Sequence, residues 1–213
     1  MTKKPNENIE ALLERGMQFR TCMEMRAAEG DQNGKMIVEG YAVRFDRPTV
    51  LWECDGVEYK EQVARGAFEG TDLTDVIFNF DHTGKVLART RNRTLEIIVD
   101  TMGLFIRADL SGTEAGQQLY KEIKGGYVDR MSFAFTIRES SYDRATHLYT
   151  IEKIKRVYDV SAVSIPAYDD TEISARNLFK VEIEKELGIA EADKLFRKRL
   201  LLRTEIMMKG IKN

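Results

Sequence analysis

Two side chains in this sequence, His82 and Ser132, have the chemical types of a general base and a nucleophile. Only two histidines occur among the 213 residues, and imidazole ordinarily exchanges protons near neutral pH. By position alone, after the apolar segment 75–80 and before a Thr-Gly turn, His82 is typical of a histidine that caps a strand end. A serine hydroxyl attacks only when a base accepts its proton, so the pair suits acyl transfer if the fold joins them.

The base in such a pair is normally oriented by a third group. Three residues qualify by type: Asp159, Asp81 and His147. Asp159 interrupts an otherwise apolar segment, where an unpaired carboxylate would be costly to bury. A cationic or hydrogen-bonding group must therefore face it. His82 would serve, and Arg156 or a backbone amide would serve equally well.

The segment around Ser132 alternates between two faces, as a β-strand does. We expect its aromatic face to pack against the core and Ser132 to project from the opposite face, where the small Ala134 leaves room for a bound chain. The aromatic face comprises Met131, Phe133, Phe135 and Ile137, and the opposite face comprises Ser132, Ala134 and Thr136.

Most of the chain from about residue 21 to residue 167 has this strand-like pattern, with β-branched and aromatic residues between turn residues. Asp55-Gly56 and Gly125-Gly126 are two of the predicted turns. The predicted strands cover residues 35–45, 57–63, 75–80, 94–100, 103–110, 131–139, 148–154 and 158–165.

Three segments have helical periodicity instead. Residues 6–18 predict a short amphipathic helix, and residues 178–209 predict a highly charged helical tail. Between the strands, Ser111 and Glu114 fit a capping box that starts a helix, which Gly125-Gly126 would end.

The composition excludes several classes of protein. Thirty-five acidic against thirty-three basic residues give a net charge of −2, whereas nucleic-acid-binding domains are usually basic. No apolar run approaches the roughly 18 residues that a membrane span needs, and the first residues lack the apolar stretch of a secretory signal. Two cysteines without a pairing motif predict neither a zinc site nor a disulfide framework, so we expect a reducing compartment.

Several segments, in this order, resemble the prohead (procapsid maturation) serine protease family of tailed bacteriophages, whose fold is similar to that of the herpesvirus assemblins. The resemblance covers about residues 21–178, and its strength lies in the combination of motifs. The segments are Val38-Glu39-Gly40-Tyr41-Ala42 with Phe45-Asp46, Glu61-Gln62-Val63-Ala64-Arg65-Gly66-Ala67-Phe68, Phe78-Asn79-Phe80-Asp81-His82, Gly103-Leu104, Gly125-Gly126-Tyr127-Val128, Met131-Ser132-Phe133-Ala134-Phe135, and Tyr158-Asp159-Val160-Ser161 with Pro166-Ala167-Tyr168.

The resemblance implies a fold, a domain organisation and residue roles. The fold would be α+β and mainly β: an assemblin-like β-barrel core with surrounding helices and a C-terminal helical tail. The domains would be an N-terminal helical segment (1–20), the protease domain (21–178) and the charged tail (179–213). His82 would be the general base and Ser132 the nucleophile. The third position falls on Asp159, where many relatives have glutamate. His147 is the alternative, because the herpesvirus relatives use a second histidine.

The activity implied is that of a serine endopeptidase that cleaves the scaffolding protein or the major capsid protein, and itself, during prohead maturation. It would act inside the procapsid in the host cytoplasm, without metal, cofactor, nucleic acid or membrane, as a homodimer or higher oligomer if it follows its relatives. We further expect the tail to target the enzyme into the prohead and then to be trimmed; a solvated helix packed on the protease is the alternative for this segment.

Two rival functions are weighed against the protease. A non-enzymatic, scaffold-like capsid-assembly protein of the same fold would explain the charged tail, but it has little reason to keep both His82 and Ser132. An esterase would be indicated by a Gly-x-Ser-x-Gly motif, which does not occur around Ser132.

Overall fold

Eleven β-strands and one α-helix account for most of what the computed structural model describes before residue 165. The described residues are 16–22, 24–28, 34–54, 56–164, 179, 182–185, 188, 191, 194 and 197–198. The chain forms two compact units, residues 1–175 and residues 176–213. In the second unit, every described residue is helical.

Seven strands of the first unit form one sheet. It includes the strand that contains Ser132 and the two strands that flank His82. Its order is β1-β10-β11-β5-β4, and β6 adds to β11 and pairs in turn with β7. The bounds are β1 Met17–Cys22, β4 Thr49–Cys54, β5 Val57–Val63, β6 Ile77–Phe80, β7 Thr83–Arg89, β10 Arg130–Asp143 and β11 Leu148–Val163.

Four further strands form a second, antiparallel sheet in the order β2-β3-β9-β8. A single helix, α1, follows β9 and precedes β10. The bounds are β2 Met25–Ala27, β3 Ile37–Arg44, β8 Leu95–Val99, β9 Gly103–Asp109 and α1 Glu114–Lys124.

The main hydrophobic core takes side chains from both sheets and from α1. The aromatic face of β10 contributes Phe133 and Phe135, which stack with ring centroids 4.5 Å apart. The second sheet contributes residues such as Ile106, and α1 contributes Leu119 and Ile123. A smaller cluster, Met17, Phe19 and Ala134, lies on the opposite face of β10. The predicted mainly-β class is confirmed.

The predicted barrel core is not confirmed, because the described strands form these two sheets and no closed barrel. Two predicted strands, 148–154 and 158–165, are instead one strand, β11. This strand pairs along its length with β10, and irregularities in the register let the long hairpin bend without ending.

Two details of the predicted helices are wrong. The helix predicted over residues 6–18 lies mainly outside the described residues, but its last two residues, Met17 and Gln18, belong to β1, because this segment pairs with β10. At α1, the helix cap is Thr113, whose hydroxyl accepts from the Gly116 N–H at 3.0 Å. Ser111 is committed elsewhere: its hydroxyl donates to Asp109 and accepts from the Met36 N–H.

Within the described residues, no helix is both long enough and apolar enough to cross a membrane.

Candidate active site

Strand β10 positions Ser132 by simple alternation. Its odd-numbered neighbours enter the main core, so the Ser132 side chain lies on the other face of the sheet, as the sequence predicts. That face is not open beside Ala134, however. Strand β1 pairs with β10 and packs Met17 and Phe19 against Ala134, and Ser132 itself has no exposed surface.

His82 lies in the tight turn between β6 and β7. Asp81 and His82 both have positive φ angles, 49° and 54°, which end the alternation of β6 and direct the imidazole over the sheet. The turn is held because the Asp81 N–H donates to the Ala162 carbonyl and its carboxylate accepts from Ser164. The imidazole and the ring of Phe19 form a T-shaped contact, with centroids 4.8 Å apart.

Asp159 reaches His82 because β6 pairs in parallel with the last part of β11. His82 Nδ1 is 2.6 Å from Asp159 Oδ1, and His82 Nε2 is 2.7 Å from Ser132 Oγ. A carboxylate only accepts, so in the neutral imidazole Nδ1 carries the proton that Asp159 accepts, and Nε2 presents its lone pair to the Ser132 hydroxyl. This is the tautomer that a general base next to a nucleophile requires.

The side chains of the site are largely buried. The His82 side chain is 4% exposed and that of Asp159 is 12% exposed. Six polar or charged residues are buried in the described part of the chain, and four of them are Asn79, Ser132, Asp159 and Ser161. Because burying polar groups costs free energy unless they are bonded to one another, this concentration marks a built site.

Sequence reasoning missed two residues of this site, Asn79 and Ser161. Ser161 Oγ donates to Asp159 Oδ1 at 2.7 Å, lies 3.2 Å from His82 Nδ1 and contacts the side-chain amide of Asn79. Both are polar residues inside otherwise apolar strands, as Asp159 is, and the same test of burial cost could have identified them.

The other candidates for the third group have different partners. The Asp81 carboxylate, next to His82 in the chain, accepts from Ser164. His147 sits in the β10–β11 turn, where its Nδ1 is 3.0 Å from the Tyr142 hydroxyl and its ring contacts Tyr59. Arg156, considered as a partner for Asp159, instead forms an ion pair with Asp72 at 3.5 Å. Among the residues described, no cluster of three or more His, Cys, Asp or Glu side chains could hold a metal ion.

Comparison with known proteins gives one finding. The family model described as "Caudovirus prohead serine protease" matches residues 21–185, which is more than half of the chain. Comparison with the curated proteins gives no match, and comparison with the solved structures gives none either.

Proposed function

Because the chain belongs to the caudovirus prohead serine protease family, we propose that it is a serine endopeptidase with Ser132 as nucleophile, His82 as general base and Asp159 as the group that orients the base. The observation that carries this proposal is the position of one imidazole, 2.7 Å from a serine hydroxyl on one side and 2.6 Å from a carboxylate on the other.

The proposed reaction passes through an acyl-enzyme. Ser132 Oγ attacks the scissile carbonyl while His82 Nε2 takes its proton, and the Asp159 carboxylate stabilises the imidazolium that forms. His82 then gives the proton to the leaving amine, and a water molecule, deprotonated by His82, hydrolyses the ester. General-base assistance of this kind contributes roughly 10²–10⁴-fold to the rate.

Asp159 is preferred to His147 as the third member. The carboxylate is within hydrogen-bonding distance of His82, whereas His147 lies next to Tyr142, ten residues beyond Ser132 along β10. An aspartate is one methylene shorter than the glutamate common in relatives. The pairing of β6 with β11 compensates by bringing the imidazole close to the strand.

The family supports a substrate and a setting for this activity. We propose that the substrates are the scaffolding protein, or the scaffolding part of the major capsid protein, and the protease itself. The reaction would take place inside the procapsid in the host cytoplasm, and the charged tail (179–213) would target the enzyme there. The assemblin-like character of the core and a homodimeric or higher oligomeric state belong to the same proposal.

Intact-mass analysis of the purified chain tests the proposal. Wild type, Ser132→Ala and the matched control Ser141→Ala are each incubated alone and with the cognate capsid protein. Ser141 is an exposed serine on the same strand, so its loss should be silent. We expect wild type and Ser141→Ala to shorten themselves or the capsid protein while Ser132→Ala leaves both intact.

Two results would contradict it. If all three proteins trim the substrate alike, Ser132 is not the nucleophile. If none of the three proteins cleaves under assembly conditions, a non-enzymatic capsid-assembly protein becomes the better explanation.

If cleavage is observed, Asp159→Asn and His147→Gln separate the two candidates for the third member of the triad, since only Asp159→Asn should slow cleavage.

A further inference from the structure

Ser161 and Asn79 are buried polar residues to which the proposed reaction gives no role. They belong to one row of the sheet, in which Ser132 on β10 pairs with Ser161 on β11, and Ser161 pairs with Asn79 on β6. Paired residues of neighbouring strands share a face, so all three side chains lie on the side of the sheet that His82 covers. Ser161 is fully buried and Asn79 is 5% exposed.

The Ser161 hydroxyl lies among three polar atoms. It is 2.7 Å from Asp159 Oδ1 and 3.2 Å from His82 Nδ1, and it is in close contact with the amide group of Asn79. It therefore meets the imidazole on the nitrogen that faces the carboxylate. Ser132 meets the other nitrogen, Nε2. This position excludes Ser161 as the nucleophile and puts it beside the Asp159–His82 hydrogen bond.

A hydroxyl has a single proton, and it cannot give that proton to Asp159 and to an amide oxygen at once. The carboxylate is the stronger acceptor because it is charged. The Asn79 amide can turn about its last side-chain bond to present its NH₂ group, which donates to Ser161 Oγ. With that arrangement the Ser161 hydroxyl both donates and accepts, and the carboxylate oxygen nearest His82 accepts from both His82 and Ser161.

We propose that Ser161 is a positioning residue, which holds the Asp159 carboxylate in the plane of the imidazole, and that Asn79 acts through Ser161 by fixing its hydroxyl. The inference rests on the proposed function, because it assigns a role within that catalytic group. Neither residue touches the substrate. Their effect passes through Asp159 and His82 to the Ser132 hydroxyl.

The test measures how fast Ser132 reacts with a fluorophosphonate, which forms an Oγ–P bond and releases fluoride while His82 accepts the hydroxyl proton. The variants are Ser161→Ala, Asn79→Ala, both together and Ser161→Thr, which keeps the hydroxyl. Ser141→Ala is the control. Rates are normalised to the folded fraction measured by circular dichroism. A second readout is the downfield proton resonance of the imidazole Nδ1–H, which only two histidines can contribute.

We expect Ser161→Ala to react about ten- to a hundredfold more slowly, the range for losing one hydrogen bond to a charged group. Ser161→Thr should recover most of the rate. Asn79→Ala should slow the reaction in the wild-type background and add less than about twofold once Ser161 is alanine, since residues that act as a unit are non-additive. The Nδ1–H resonance should move in Ser161→Ala and return in Ser161→Thr.

Failure of the inference and failure of the proposed function give different results. If wild type reacts with the probe and Ser161→Ala matches it in rate and in resonance, Ser161 has no positioning role. Additive losses in the double variant would remove Asn79 from the proposal. If wild type does not react at all, the proposed function falls. The resonance would still report whether Ser161 shapes the hydrogen bond between His82 and Asp159.

Discussion

The ion pair between Arg20 and Glu61 predicts a large and testable coupling between β1 and β5. Arg20 Nε and Nη2 each donate to a different oxygen of Glu61, both at 2.5 Å, and Nη1 donates to the Phe19 carbonyl at 2.7 Å. The two side chains are only 8% and 4% exposed. Solvent therefore screens this bidentate pair very little.

The magnitude follows from burial. Removing one partner leaves a charge in the interior without compensation, which costs about 3–5 kcal/mol. Replacing both partners with apolar residues of similar size removes the desolvation penalty together with the attraction, and is often neutral or stabilising. Arg20→Met and Glu61→Leu should therefore each lower the free energy of unfolding by about 3–5 kcal/mol, while the double variant costs far less than their sum.

Urea unfolding of the four proteins, followed by circular dichroism, measures these differences as changes in midpoint at constant slope. Glu39→Gln is the control, because Glu39 pairs at 3.4 Å with Arg26, which is 66% exposed, and such pairs contribute about 0–1 kcal/mol. Single variants that lose less than about 1 kcal/mol, or a double variant equal to the sum of the singles, would refute the reasoning.

Three further predictions concern local contacts. The Tyr41 hydroxyl donates to Asp100 at 2.6 Å and lowers the pKa of the Asp100 carboxyl. The hydrogen bond therefore stabilises the folded protein fully at a pH above the ordinary pKa of an aspartate. This stabilisation is lost as the pH falls through the lowered pKa of Asp100. Tyr41→Phe should therefore be less stable than wild type at neutral pH and equally stable in acid, measured by thermal unfolding across pH. Thr113→Ala removes the cap of α1 and should cost about 1 kcal/mol in urea unfolding. Gly40→Ala would place a Cβ 1.9 Å from the Glu24 carbonyl oxygen, and should cost about 1–3 kcal/mol by the same measurement.

Each of these has an outcome that contradicts it. A stability difference for Tyr41→Phe that persists unchanged in acid would mean that the hydrogen bond is not linked to the ionisation of Asp100. Full stability of Thr113→Ala, with a loss in Ser111→Ala instead, would restore the capping box that the sequence predicts. A Gly40→Ala variant as stable as wild type would show that β3 can move away from Glu24 at no cost.

The sequence pattern predicted best the strands in which one face is apolar and the other carries small or polar residues. The pattern around Ser132 correctly placed Phe133 and Phe135 in the core. Its large apolar residues recur at every second position, which is typical of a strand and not of a helix. The pattern failed at β1, where only the pairing with β10 decides between strand and helix. It also failed at Ser111, whose hydroxyl bonds Met36, a residue 75 positions away.

The site was predicted in part, for a similar reason. Residue type made His82 and Ser132 candidates, the apolar surroundings made Asp159 one, and the family resemblance implied their roles. The residues alone left Arg156 and other partners open for Asp159. In the structure Arg156 is not the partner of Asp159, because Arg156 pairs with Asp72 in a contact between β11 and the segment before β6. Such contacts join distant parts of the chain and leave no local signal in the sequence.

The parallel pairing of β6 with β11 also determines how early during synthesis His82, Ser132 and Asp159 can come together. The hydrogen-bonded neighbours His82 and Ser161 are 79 residues apart in sequence. At the usual rate of about 5–20 residues per second, a ribosome needs roughly 4–16 s to add that stretch. During this interval the nascent chain carries the imidazole, and later the nucleophile, but not the strand that joins them. His82 and Ser132 therefore cannot join Asp159 until synthesis has passed through β11.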